Sequence, residues 1–359
     1  MLLLAPPAPP PPAAPATFSP VPDTGLWRDL GKGVVLEEVL RVTPGGPQRF
    51  WVVRVPPGAA RLRVARAQAQ ADGRPGLQTV SEIARRAGAV AAVNGGYFSP
   101  RDRIPLGLVQ IGGELLSGPL YHRTAVLLGD DVRFDRPQVQ PWIALPGGES
   151  AEVDFCNLPP QGDSLTLFTR AWGARTGTAP TAQSREIALT QDGVVIGEGA
   201  ADLGIPPDGY VVSATGSRAD WLARRVARGD RVTVHTSLEE YWGPVSDALG
   251  GGPTLVANGT ASISTDERFR PDITRGRAAR TAIGVTPDGT ALLVGVAGVD
   301  PTHSIGMSLE ELAKLLVELG SDRAMNLDGG SSTAVWASGS TVWARGGERP
   351  VANALVVVP

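Results

Sequence analysis

The chain has a single cysteine, Cys156, so it can form no intrachain disulfide and no thiolate-rich metal centre. Its three histidines, His122, His235 and His303, are scattered, which argues against a histidine-based metal site. Lysine is nearly missing: Lys32 and Lys314 are the two among 33 basic residues, and the rest are arginine. An arginine in this background is therefore no sign of phosphate binding by itself. Neither charge dominates, with 36 acidic residues against the 33 basic ones, so no long-range field points to nucleic acid or an anionic membrane as partner. No apolar run approaches the roughly 20 residues of a membrane-spanning helix.

What is present is a globular composition, 42% hydrophobic in 359 residues, enough for one large domain or two ordinary ones. Forty-five glycines and 32 prolines imply many turns and short strands. Residues 1–23 read as a Pro/Ala-rich tail or remnant signal segment. Their apolar part has no basic residue before it, unlike the usual secretory signal. Residues 24–90 read as a β-rich lead-in, with strands expected at Val34 to Leu40, Phe50 to Val55 and Ala60 to Ala65. Thr79 and Glu82 form a capping box that opens a helix ending near Gly88, and an apolar strand from Ala89 to Val93 then runs into Asn94-Gly95-Gly96-Tyr97-Phe98.

The same order recurs near the end. Ser308 and Glu311 box the start of an amphipathic helix with Leu309, Leu312, Leu315, Leu316 and Leu319 on one face, stopped by Gly320. A strand from Arg323 to Leu327 delivers Asp328, followed by Gly329, Gly330, Ser331, Ser332 and Thr333. Glycines after an acid either close a turn or let backbone approach a ligand, and the hydroxyls beyond them can hydrogen-bond it. Hairpins turn at Gly112-Gly113, Asp192-Gly193, Asn258-Gly259 and Asp288-Gly289, and a further helix is expected around Ser217 to Ala227. Residues 137–185 read as irregular, with Pro and Gly breaking short strand-like pieces such as Ser164 to Thr169. The expected class is α+β: β-rich, mixed or antiparallel sheets with three or four helices. The Arg-Thr-Ala triplets at 123–125 and 280–282, each preceded by Gly-Gly and a hairpin, point to an internal pseudo-duplication.

Six motifs in order resemble those of the phosphodiester glycosidase family: Asn94 to Phe98, Ala248 to Val256, Arg280 to Val285, Ser304 to Leu312, Asn326 to Thr333 and Arg349 to Leu355. The resemblance implies a catalytic domain over residues 91–359, with the lead-in packed on it as in bacterial members. It also implies hydrolysis of the C1–O bond of a sugar-1-phosphodiester, with a glycan phosphodiester as partner and no required cofactor. Asp328 matches the family's acid before the glycines, though Ser331 stands where a third glycine is common.

The leaving group of such a substrate is already the anion of a fairly strong acid, so the site needs donors for phosphate and one carboxylate more than it needs a proton donor. The resemblance thus makes Asp328, Asn94, Arg280 and Glu348 the expected catalytic set. Substrate contacts are expected from Gly95, Gly96, Tyr97, Gly251, Gly252, Thr281, His303, Ser304, Gly329, Gly330, Ser331, Ser332, Arg349 and Asn353. Tyr97, Trp242 and Trp336 are candidates for stacking on a sugar, or for core. Calcium held through Asp328 is compatible with the residue types. Family members commonly act outside the cytoplasm, so an envelope or extracellular glycan is the expected target. A glycan-binding module without turnover is the alternative reading.

Overall fold

The computed structural model describes residues 24–71, 73–137, 140–236 and 242–359. Two sheets pack face to face. The larger has eight strands in the order Thr24–Gly31, Val34–Thr43, Gly46–Val55, Ala291–Val296, Arg280–Val285, Arg323–Asn326, Thr254–Ala257 and Thr260–Ala261. The second runs Ser340–Ala344, Ala334–Ala337, Ala91–Asn94, Asn353–Val358, Arg61–Arg66. Trp51, Val53, Ile283 and Leu293 from the first meet Val93, Val335, Leu355 and Val357 from the second in one core.

Helix α1 (Val80–Ala87) covers the outer face of the five-stranded sheet, its Val80, Ile83 and Ala84 packing on Ala92, Trp336 and Val356. Helices α2 (Ser217–Ala223) and α3 (Pro271–Thr274) follow in the chain, and α4 (Leu309–Glu318) covers the outer face of the large sheet through Leu309, Leu312, Leu315 and Leu316. The result is four layers: helix, sheet, sheet, helix. Strands in the middle are covered on both sides, which is why Ala291–Val296 reads Ala-Leu-Leu-Val-Gly-Val without polar alternation. Each fully buried leucine of α4 contributes about 1.5–3 kcal/mol. Both expected capping boxes are present, Thr79 with Glu82 and Ser308 with Glu311.

The lead-in does more than rest on the later chain: Gly46–Val55 pairs with Ala291–Val296, and Arg61–Arg66 pairs with Asn353–Val358. Its first strand, Thr24–Gly31, lies upstream of the expected β pattern. The stretch 137–185, expected to be irregular, contributes strands to a separate five-stranded sheet, Phe155–Cys156, Leu165–Phe168, Tyr210–Thr215, Ser184–Leu189 and Val195–Gly199. That sheet has its own core with α2, where Leu165, Leu167, Ile187, Val212 and Leu222 meet. Ser184–Leu189 and Val195–Gly199 flank the expected turn at Asp192-Gly193, whereas Phe155–Cys156, two residues long, was too brief for periodicity to show. Sheet pairing among the described residues is antiparallel apart from the two-residue parallel contact of Phe155–Cys156 with Thr166 and Leu167. The two Arg-Thr-Ala strands lie in different sheets.

Candidate active site

Two strand ends and the approach to the last strand meet where the two large sheets abut. Asn94 ends one strand, fully buried. Its Nδ2 donates to the Asp328 carbonyl (2.7 Å), and its Oδ1 accepts from Thr281 Oγ1 (2.6 Å) and the Ala334 N–H (3.2 Å). The Asp328 N–H donates to the Gly95 carbonyl (3.2 Å), and Gly95 N–H donates to the Asn353 carbonyl (3.0 Å). Asn353 Oδ1 accepts from Gly96 N–H (2.8 Å). Four of the expected residues, Asn94, Gly95, Thr281 and Asn353, thus form a buried frame that holds the Asp328 backbone. The polar atoms of Asn94 are taken up by protein, so the geometry gives it a positioning task instead of a contact to sugar.

The glycines follow the same logic. A Cβ on Gly95 would lie 2.0 Å from Asn353 Oδ1, on Gly96 2.6 Å from the Gly250 carbonyl, and on Gly251 2.7 Å from the Asn326 carbonyl. Close packing against the Asn353 side chain at Gly95, and against backbone carbonyls at Gly96 and Gly251, requires these glycines. Gly330 differs: its φ is +62° and nothing lies within 4 Å of its would-be Cβ, so it opens onto free space.

Asp328 itself is half-buried. Its Oδ1 accepts from the Gly329 N–H (2.9 Å), and its carboxylate also takes a hydrogen bond from the buried Ser332 hydroxyl. Burial pushes its pKa up to about 6 against the opposing pull of Ser332, the Gly329 amide and the Arg349 charge. Arg349 lies over the Phe98 ring at 5.6 Å and donates from Nη1 to Ser331 Oγ (2.7 Å). Asp328, Gly329, Ser331, Ser332 and Arg349 therefore form one polar cluster with an exposed hydroxyl and a half-buried cation at its edge.

Tyr97 lies behind the cluster. Its hydroxyl donates to the Gly252 carbonyl (2.9 Å) and accepts from Asn326 Nδ2 (2.8 Å), while its ring packs on Phe269 at 5.2 Å. Burial and the Asp328 charge raise the phenol pKa, so Tyr97 stays neutral. Trp336 is core, and Trp242 is half-buried with its Nε1 donating to Asp135 Oδ2 (2.7 Å).

Other expected residues have different tasks. Arg280, 3% exposed, donates Nε to the Met307 carbonyl (3.1 Å), Nη1 to Ile273 (2.8 Å) and Nη2 to Gly276 (3.1 Å). Its fork clamps the loop around α3 instead of lying open for phosphate. Glu348 accepts from the Ser81 N–H in the first turn of α1 (2.9 Å) and from the Thr341 hydroxyl, so it caps a helix instead of pairing with Asp328. His303 is 74% exposed and bonded to Asp300, and buried Ser304 donates to the Ala297 carbonyl (2.7 Å). Gly252, with φ +103°, turns beside Glu267 and Phe269.

Glu267 escaped the sequence reading altogether. It is buried and accepts from Thr124 N–H (2.8 Å), Thr254 N–H (2.9 Å) and Arg136 Nη2 (2.9 Å), tying the 262–270 loop to Gly252 and Tyr97. It lies in an aperiodic loop, Asp266-Glu267-Arg268-Phe269, and carries no local signal. Among the described residues no group of three or more His, Cys, Asp or Glu is gathered for a metal.

A doubly covered antiparallel sandwich holding one partly bonded, raised-pKa carboxylate beside arginine and serine defines an α+β protein with a candidate hydrolytic site. The assignment then narrows: residues 183–358 match the phosphodiester glycosidase family model. A hypothetical protein from Synechocystis has the same fold, with a TM-score of 0.82 and 25% identity, covering 94% of this chain and 64% of its own. The chain thus spans about two thirds of that protein's length. A Burkholderia pseudomallei protein described as exported aligns at a TM-score of 0.71 and 24% identity over 88% of this chain and 74% of its own. The catalytic domain of zebrafish N-acetylglucosamine-1-phosphodiester α-N-acetylglucosaminidase aligns at 0.48 and 16% identity, over 94% and 88%. No curated protein sequence gives a significant match.

Proposed function

We propose that the protein hydrolyses a sugar from a sugar-1-phosphodiester by cleaving the C1–O bond, with Asp328 as the carboxylate that acts at the anomeric centre. The observation that carries this reading is the state of Asp328. Its pKa of about 6 leaves it ionised at neutral pH yet basic enough to take a proton from water. In the step, water attacks C1 and passes a proton to Asp328, and the C1–O bond electrons leave with the phosphomonoester. That leaving group needs charge stabilisation more than protonation, which suits a site with one carboxylate next to an arginine. Arg349, anchored on Ser331 and Phe98, is the cation placed for the phosphate.

The family match supports the reaction class. We place the target outside the cytoplasm, on an envelope or extracellular glycan, as for the fold relative described as exported; finding the native protein entirely in the cytosolic fraction would refute that. The reaction is tested with methyl phosphodiesters of several 1-phosphosugars in ¹⁸O-labelled water. C1–O cleavage puts the label in the sugar, and Asp328→Asn should abolish release. Label in the phosphate, or unchanged release by the variant, would overturn the assignment.

A further inference from the structure

A small cavity of about 40 Å3, partly open to solvent, lies between the 66–71 and 73–76 segments and the 103–116 hairpins. Ile104, Pro105 and Leu116 supply apolar wall, and Arg66 and Arg103 are its charged lining residues. Among the described residues no carboxylate lines it. The Arg66 guanidinium has no hydrogen-bond or ion-pair partner among the described residues, and Arg103 donates from one nitrogen to Gln70 Oε1. The rim is tied to itself, with Gln70 N–H donating to the Arg74 carbonyl (2.8 Å) and Gln70 Nε2 to the Pro75 carbonyl (2.8 Å).

Asn353 also lines the cavity. It is 1% exposed, and its Nδ2 has no hydrogen-bond partner. The amide cannot simply rotate to satisfy that nitrogen, because Oδ1 is held by the Gly96 N–H at 2.8 Å. A buried donor left unpaired is costly, and the group that relieves it must be an acceptor. Two arginines, one unpaired buried donor and an apolar wall together select a ligand with an anionic head and an apolar body.

We propose that this cavity is a binding site for a small organic anion, a carboxylate or phosphate carried on an apolar group, distinct from the Asp328 cluster. The proposal does not depend on the glycosidase reading. Isothermal titration of the full chain with phenyl phosphate, benzoate, inorganic phosphate and benzyl alcohol tests it. One aromatic anion should bind at one per chain, at least tenfold tighter than inorganic phosphate, and benzyl alcohol should give no measurable heat. Whichever of phenyl phosphate or benzoate binds tighter identifies the head group. Arg66→Ala combined with Arg103→Ala should weaken binding at least tenfold with an unchanged melting temperature, while Asp328→Asn should leave binding intact. Aromatic-anion binding that is absent, that persists in the double arginine variant, or that vanishes in Asp328→Asn would overturn the proposal.

Discussion

Asp247 opens the strand Asp247–Gly250 of another sheet, beside Arg61–Arg66, and Asp328 follows Arg323–Asn326 of the eight-stranded one; the surroundings of these two acids differ sharply. Asp247, fully buried, takes two bonds from Arg63 (2.7 and 3.1 Å) and one each from the Val64 and Gly112 N–H groups (2.8 and 2.9 Å). The pairing raises the Arg63 pKa in turn. Asp328 takes bonds from one backbone amide and one hydroxyl, and is left with open acceptor capacity next to a cation. A carboxylate surrounded by donors holds the fold together, whereas one that is desolvated and incompletely bonded remains free for chemistry.

The contrast can be broken by mutation. The largest expected effect is on turnover: Asp328→Asn should lower kcat by about 10²–10⁴, the range for losing a positioned base, in the sugar-release assay. Asp247→Ala should leave turnover per folded molecule unchanged but destabilise the protein by about 3 kcal/mol in urea unfolding, because two amides and Arg63 lose their acceptor. Equal activity losses in both variants would erase the distinction.

The pH dependence sharpens it. The folded pKa of Asp328 lies above its ordinary value of 3.8, so its contribution to stability is fully present below about 3.8 and is lost as pH rises through about 6. Asp328→Asn should therefore be the more stable protein at pH 8 by on the order of 2 kcal/mol, with the difference fading by pH 4 in thermal melts. Wild-type kcat/KM should fall below pH about 6. Since the Arg349 charge lowers the Asp328 pKa, Arg349→Ala should move that acid limb upward and reduce kcat/KM about tenfold, mostly through KM. The smallest effect is at Glu348: Glu348→Gln should cost about 1 kcal/mol or less through α1 and leave kcat within about twofold.

Much of this was legible in the chain because the signals were local. Capping boxes, hairpin turns and the strands that flank them repeat known short-range chemistry, and Thr79, Ser308 and Gly320 mark helix ends at the expected places. The acid at 328 and the arginine at 349 were also readable, as parts of motifs. What could not be read was which polar groups point inward. Arg280 and Glu348 look as available as Arg349 in sequence, and tertiary contacts alone direct their atoms to Met307, Ile273, Gly276 and the α1 terminus. The strand Phe155–Cys156 was hidden for another reason, since two residues carry too few periods to register.

The strand Asn353–Val358 lies between Ala91–Asn94 and Arg61–Arg66. A chain emerging from the ribosome therefore carries Asn94 and later Asp328 as unconnected fragments, and the frame that joins them closes only when this strand is made. Until then Ala91–Asn94 and Arg61–Arg66 both present open edges, a window in which another chain can pair where this strand belongs. Assembly of the site and protection of these two edges thus both wait on this one strand.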